Sequence, residues 1–252
     1  MIEVQGLRKA FRNVVAVEDV SFVARDGQVT GLIGPNGAGK TTTLRVLYTI
    51  LRPDAGWARV DGHDSVTDRT AVQRRIGVLP DNRGLYVRLT AREHVRYYGR
   101  LHGMRGAALE RRIDELVETL DMASFADRPA KGFSKGQTLK VALARCLVHS
   151  PHNVIFDEPT NGLDVSSSRA MRDLIRRMRD AGHCVLLSSH IMAEVQALCD
   201  HLVVLGRGRV AVQGTPEEIK RQTGKADLEE AFVSVARPGQ PADEDVPERA
   251  YA

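Results

Sequence analysis

Two short stretches of this chain carry residue types and spacings suited to chemistry on phosphates. The first, Gly34-Pro35-Asn36-Gly37-Ala38-Gly39-Lys40-Thr41, fits G-x-x-x-x-G-K-[ST]. Glycines let the backbone wrap closely enough for successive N–H groups to face phosphate oxygens. A helix beginning at the end of such a loop adds the positive end of its dipole. Lys40 then supplies a point charge for the outer phosphates, and Thr41 a hydroxyl for Mg²⁺. The second stretch, Val154-Ile155-Phe156-Asp157-Glu158, is an apolar run ending in two acids. Alone it reads equally well as acids at the end of a strand. Downstream of a phosphate loop, the first acid is placed to hold Mg²⁺ and the second to orient an attacking water. An ordinary glutamate is a weak base near neutral pH, so positioning is the main role expected of Glu158, with proton acceptance late in the reaction.

The elements around these stretches follow from periodicity and turn residues. Ile2–Val4, Val20–Val23 and Val29–Ile33 read as strands, and the glycine-rich loop follows the last of them. A helix is expected over Thr41–Leu51, ended by Arg52-Pro53-Asp54-Ala55-Gly56. Arg59-Val60 and Ile76–Leu79 read as further short strands. From Thr90 to Val148 the apolar spacing turns helical, as Leu109, Ile113, Leu116, Val117 and Leu120 show. Gly103 and Gly106 separate two helices there, and Asp127-Arg128-Pro129 marks a loop. After Pro151, the runs Val154–Phe156, Cys184–Leu187 and Leu202–Leu205 are apolar enough for buried parallel strands, with helices over 166–180 and 191–199. Thr215-Pro216-Glu217-Glu218 is a capping box with proline at the first helical position. The Pro-, Asp- and Glu-rich segment 237–252 is expected to be disordered.

Bulk composition narrows the class. The chain has 252 residues, 42% hydrophobic and 27% charged, ordinary for a globular protein that buries a substantial core. No apolar run approaches the roughly 18 residues of a membrane span. The start Met1-Ile2-Glu3-Val4-Gln5 lacks the basic and apolar regions of a signal peptide, so a cytoplasmic location is expected. Cys146, Cys184 and Cys199 are too widely spaced for a C-x-x-C pair and read as free, buried thiols. A net charge of +4 fits solvated arginines or an anionic partner surface, either a membrane leaflet or nucleic acid.

An ordered set of motifs then resembles the ATP-binding-cassette ATPases. Phe133-Ser134-Lys135-Gly136-Gln137 is similar to the L-S-G-G-Q signature of that family and precedes the Asp157-Glu158 strand, as the signature does there. Asn161-Gly162-Leu163-Asp164 resembles the loop that follows the acids. His190 resembles the switch histidine, and Phe11 sits where the family has an adenine-stacking aromatic. The resemblance covers residues 2 to 220. It implies an α/β fold: a P-loop NTPase (RecA-like) core with an N-terminal β-rich subdomain and an inserted α-helical subdomain. Within one ATPase domain over 1–236, the core would take 1–88 and 151–220, the helical insert 89–150, and a C-terminal helix 221–236.

The resemblance also implies roles. Phe11 would stack on the base, and Gly34 through Thr42 would hold phosphates and metal. Asp157 would support Mg²⁺ with Thr41, Glu158 would act on water, and His190 would contact the γ-phosphate. Ser134, Gly136 and Gln137 would face the γ-phosphate of a second subunit, with Asp164 at the subunit interface. Two positions depart from the pattern. Lys135 replaces the first signature glycine, and its cation can reach a phosphate, an acidic neighbour or only solvent. Asp81 stands where the family has glutamine after Leu79-Pro80; a carboxylate can reach Mg²⁺ directly or through water but cannot donate as an amide does.

One phosphate loop and one signature per chain imply that two chains are needed for two complete sites, hence a head-to-tail dimer, expected to be a homodimer. The leading function is an ATP-hydrolysing subunit, peripheral on the inner face of the cell membrane, that drives a separate transmembrane permease. The segments Leu79–Tyr86 and Leu228–Phe232 resemble sodium and drug exporters. The alternatives are a soluble ATPase acting on nucleic acid or ribosomes and a non-catalytic regulatory cassette. No aromatic-interleaved basic patch supports nucleic acid as a partner, and the presence of Lys40, Glu158 and His190 argues against a regulatory cassette.

Overall fold

The computed structural model describes residues 1–236, so the expectation for 237–252 lies outside the described residues. In chain order the strands are β1 (Ile2–Phe11), β2 (Val14–Ala24), β3 (Gln28–Ile33), β4 (Ala55–Val60), β5 (His63–Asp64), β6 (Ile76–Leu79), β7 (Asn153–Asp157), β8 (Cys184–Ser189), β9 (His201–Gly206) and β10 (Arg209–Gly214). The helices are α1 (Lys40–Leu47), α2 (Arg69–Gln73), α3 (Ala91–Leu101), α4 (Gly106–Thr119), α5 (Lys135–Leu147), α6 (Val165–Asp180), α7 (Met192–Leu198), α8 (Pro216–Thr223) and α9 (Leu228–Ala236).

The strands line up as β5-β4-β1-β2-β10-β9-β3-β8-β7-β6. β9, β3, β8, β7 and β6 run mutually parallel. β10 turns back antiparallel on β9 and meets β2 through one pair, Arg209 and Asp19. β2, β1, β4 and β5 form the antiparallel, N-terminal part. Because β6, β7, β8 and β3 are adjacent and parallel, the loops leaving their C-terminal ends emerge along one edge, where open α/β sheets bind ligands.

Alternation of side chains divides the interior into two faces. Val154 and Phe156 of β7 join one apolar cluster with Leu109, Ile113 and Leu116 of α4, residues of α5 and α6, and Leu187 of β8. Ile155, between them, joins the opposite cluster with Leu44, Val46 and Leu47 of α1 and with Val4, Val20 and Phe22 of the antiparallel strands. Strands covered on both faces should be uniformly apolar, and every residue of β7 and β8 is buried.

Two expectations need correction. The helix after the phosphate loop stops at Leu47 rather than Leu51; the chain turns through Thr49 at φ 67°, left-handed backbone that ends a helix. The C-terminal helix expected over 221–236 begins later: α8, the helix that starts at the expected capping box, runs on to Thr223 and is capped by Gly224 in left-handed backbone (φ 67°), and α9 starts only at Leu228. The inserted helical segment packs directly on the sheet. α5 lies against β6 so closely that a Cβ on Gly77 would stand 2.6 Å from the Cys146 carbonyl oxygen, so the insert and the sheet share one core. The three cysteines are free and buried, as expected.

Candidate functional site

The phosphate loop joins β3 to α1 and is wedged between two other parts of the sheet. A Cβ on Gly34 would lie 2.7 Å from the Leu205 carbonyl oxygen of β9, and one on Gly39 would lie 2.6 Å from the Ala16 carbonyl oxygen of β2. Only glycine fits at both places. Gly39 precedes α1 with φ 101°, and its side-chain-free backbone leaves the first turn of the helix without a side-chain cap. The uncapped N–H groups of that turn are the donors a phosphate would use. Pro35 is partly exposed, Asn36, Gly37 and Thr41 are exposed, Thr42 is half-buried and Ala38 is buried. Lys40 is buried, and its Nζ donates to the carbonyls of Gly34 (2.6 Å) and Pro35 (3.2 Å), so the ammonium is folded into its own loop. Burial pulls its pKa down, against the opposing charges of Glu158 and Asp157.

The acids come from the end of β7, two strands away from β3. Asp157 is buried and accepts from the Ser188 hydroxyl at 2.6 Å. Burial pushes its pKa up; the Ser188 bond opposes this, while Glu158 and Asp81 add to it. A buried carboxylate whose charge is disfavoured gains most from a cation, and here the charge of Lys40 favours it. Tyr48, beyond α1, is pushed up to about 12 by burial, with Asp157 contributing.

Glu158 sits on left-handed backbone, φ 48°, which costs a non-glycine residue about 1–2 kcal/mol. Its N–H donates to both the hydroxyl and the carbonyl of Ser188. Its carboxylate lies 2.8 Å from Nδ1 of His190, which follows β8. The histidine side chain is 52% exposed and the glutamate 15%, so the pair reaches from the sheet edge toward solvent. The structure therefore brings Lys40, Asp157, Glu158 and His190 to the ends of adjacent parallel strands, with Asp81 exposed after β6 close enough to act on Asp157.

The remaining predicted residues form a second group. Ser134 caps α5: its hydroxyl accepts from the Gln137 N–H at 3.2 Å, and the Gln137 side chain accepts from the Ser134 N–H at 3.0 Å. Asp164 caps α6, accepting from the N–H (2.8 Å) and hydroxyl (2.9 Å) of Ser167, which hold its carboxyl below the usual range. A Cβ on Gly136 would meet Ser167 Oγ at 2.9 Å, so the two helix starts abut. The Lys135 amine lies 2.9 Å from where a Gly162 Cβ would be, so it lies across the Asn161–Asp164 loop. None of these capping bonds reaches the phosphate loop. Phe11 ends β1 on the hairpin whose Ala16 contacts Gly39; its ring is partly exposed, with Lys9 Nζ 5.6 Å above it.

Three site residues escape sequence reading. Ser188 looks like one more strand residue, Arg83 like one more loop arginine, and Glu194 like an exposed helix acid. In the fold, Arg83 donates to the carbonyls of Glu158 and Pro159, and the Thr160 hydroxyl donates to the buried Glu194. Only pairing across about 30 to 75 residues makes them visible.

Among the described residues no three His, Cys, Asp or Glu side chains are arranged to hold a metal, and no helix is long and apolar enough to cross a membrane. Mg²⁺ characteristically takes one or two protein ligands together with substrate phosphates. Thr41 and Asp157, beside the phosphate loop, suit an ion that arrives with a nucleotide.

Comparison with known proteins agrees with this geometry. The sequence pattern of the family described as ABC transporter matches residues 17–161. The ABC transporter ATP-binding protein NatA of Bacillus subtilis is 43% identical over 222 residues, covering 88% of this chain and 90% of NatA. Daunorubicin resistance ATP-binding protein DrrA3 of Streptomyces coeruleorubidus is 38% identical, covering 88% of this chain and 71% of that one. The Nod factor export ATP-binding protein I of Ralstonia nicotianae is 35% identical over 92% of this chain and 72% of its own length. Among solved structures, an ATP-binding subunit of an ABC transporter superposes with TM-score 0.86 at 32% identity, covering 94% of this chain and 100% of that one. The dimeric cassette MJ0796 superposes with TM-score 0.76 at 26% identity, covering 85% and 98%. These relatives give no support to a nucleic-acid role. The glycine loop around Lys40, the Asp157–Glu158 pair and the Ser134–Gln137 turn thus sit on a matching sequence and fold, and the chain belongs to the ABC transporter family as an ATP-binding subunit of ATPase type.

Proposed function

We propose that this chain supplies the ATP-driven stroke of an exporter whose membrane-spanning permease is a separate chain, working as a homodimer peripheral on the inner face of the cell membrane. The observation that carries this reading is the division of site residues into two groups. Lys40, Asp157, Glu158 and His190 gather at one sheet edge, while Ser134, Gly136 and Asp164 cluster at the starts of α5 and α6, with bonds only among themselves and their own helices. A second copy placing its α5 start over the phosphate loop would complete the site. That neighbouring solved cassettes are dimeric supports this arrangement.

In this site the amides of Gly37 to Thr42 and Lys40 grip the β- and γ-phosphates, and Phe11 stacks on the base. Thr41 and Asp157 would hold Mg²⁺, with Asp81 placed to reach it directly or through water, and the ion would draw charge from the phosphate oxygens. Glu158 fixes the attacking water and takes its proton late, and His190 holds the Glu158 carboxylate and faces the γ-phosphate.

The export direction rests on relatives named for drug resistance and Nod factor export. The permease would dock on segment 79–89 and α3. Tyr86, Val87, Tyr97 and Leu101 are exposed there, and Tyr86 and Tyr97 pack edge to face. The test is size-exclusion of Glu158→Gln with Mg-ATP. A dimer that dissociates on nucleotide removal is expected; a monomer at every ATP concentration would refute completion in trans.

A further inference from the structure

Segment 79–89 contains an arginine with an unusual set of partners. One nitrogen of the Arg83 guanidinium donates to two backbone carbonyls, those of Glu158 (2.9 Å) and Pro159 (2.6 Å). No carboxylate lies within ion-pair distance of it among the described residues. Its Nε is buried without a hydrogen-bond partner. Burial lowers its pKa, and the charge of Asp81 only partly offsets that. A charged group placed at such a cost, with a donor left over, is held for where it reaches.

What it reaches is the backbone of the residue that most needs holding. Glu158 adopts φ 48°, a conformation that persists in a non-glycine residue only where the surroundings enforce it. Ser188 enforces it from the N–H side. On the carbonyl side the Glu158 oxygen accepts from Arg83 and, at 3.2 Å, from the Asn161 N–H, and the following Pro159 carbonyl accepts from Arg83. Pro159 has no N–H of its own to anchor the turn.

We propose that Arg83 is a positioning residue for hydrolysis: it clamps the Glu158–Pro159 turn so that the Glu158 carboxylate points at the attacking water, and it ties that carboxylate to the segment proposed to meet the permease. In this chain the tie passes through Arg83 to the water-side acid, whereas Asp81, where the family has glutamine, has no amide to offer. The inference rests on the reading of Glu158 as the water-side acid.

Three variants test it, measured for ATP turnover, ATP affinity and melting temperature. Arg83→Met fills the space without a donor. Arg83→Lys offers one amine that can bond both carbonyls, as the single arginine nitrogen does. Glu158→Gln is the reference for the underlying reading. Misplacing a reacting group by about 1 Å can cost about 100-fold, so Arg83→Met should lower kcat at least about tenfold. Its ATP affinity should stay within about threefold of wild type, and Arg83→Lys should recover most of the rate, because the clamp acts on the reaction and not on binding. A smaller loss of kcat, a loss matched by affinity and melting temperature, or no recovery in Arg83→Lys would overturn the proposal. If Glu158→Gln itself turned over near the wild-type rate, the reading of Glu158 would fall instead, and that result is separate from any Arg83 outcome.

Discussion

Two glycines in the phosphate loop separate backbone freedom from steric fit. Gly39→Ala would put a methyl group on backbone at φ 101° and within 2.6 Å of the Ala16 carbonyl oxygen and 3.2 Å of Val17 Cγ2. Ala16 and Val17 are both buried, so neither can swing aside. The conformational penalty for an L-residue is about 1–2 kcal/mol, and forcing an atom into packed surroundings adds about 1–3 kcal/mol. The total is about 2–5 kcal/mol. Gly37→Ala has a φ of 78° but nothing within 4 Å of the new methyl. It should lose about 1–2 kcal/mol, partly returned by a stiffer unfolded chain. For a domain of this size that means a melting temperature lower by about 5–15 °C for Gly39→Ala and by no more than about 5 °C for Gly37→Ala. Binding of a fluorescent ATP analogue should follow the same order, because Gly39 carries α1 and the hairpin bearing Phe11 on one contact. Equal melting temperatures and equal nucleotide affinity for the two variants would show that the loop does not lean on Ala16, and would refute the reasoning.

Other perturbations have defined outcomes. Ser134→Ala removes one acceptor from the α5 capping box and should cost about 1 kcal/mol in urea unfolding. ATP binding to the monomer should survive, but turnover and ATP-induced dimerisation should be lost; full turnover would show that the signature does not act in trans. His149 stacks on His102 with centroids 3.6 Å apart, and burial pushes its pKa down to about 4, helped by His102 and Arg112. The unfolded chain therefore takes up the proton first, so this stability is full above about pH 6.5 and is lost as pH falls toward 4. Partial exposure discounts the effect to about 1–2 kcal/mol between pH 7 and 5, and His149→Phe should flatten that part of the urea-unfolding profile.

Much of the site is legible in the sequence because its signals are local. The loop from Gly34 to Thr41 needs only its own spacing, and Asp157-Glu158 only the apolar run before it. β6 and β7 begin or end where Ile76–Leu79 and Asp157 indicate. Ser134 and Thr215 both cap helices, the first with Gln137 and the second with Glu218. What stays hidden depends on distant partners. β10 escapes notice because Arg209, Val210, Ala211 and Gln213 alternate too weakly; β9 makes it a strand by pairing. β2 is longer than the strand read at Val20–Val23, because β1 folds back and pairs with Val14, Val15 and Val17 as well. Arg83 has no local pattern, because its two acceptors lie 75 and 76 residues away.

Titration calorimetry of Mg-ATP into the wild-type chain and Lys40→Met tests the central claim most directly. Lys40 is held at the loop with its amine on the Gly34 and Pro35 carbonyls, ready to turn to an incoming phosphate. Saturable binding by the wild type, weakened at least about tenfold in the variant by loss of a charge-assisted contact, is the predicted result. Absence of a heat signal for wild type at millimolar Mg-ATP, or identical affinity in the two proteins, would contradict the account.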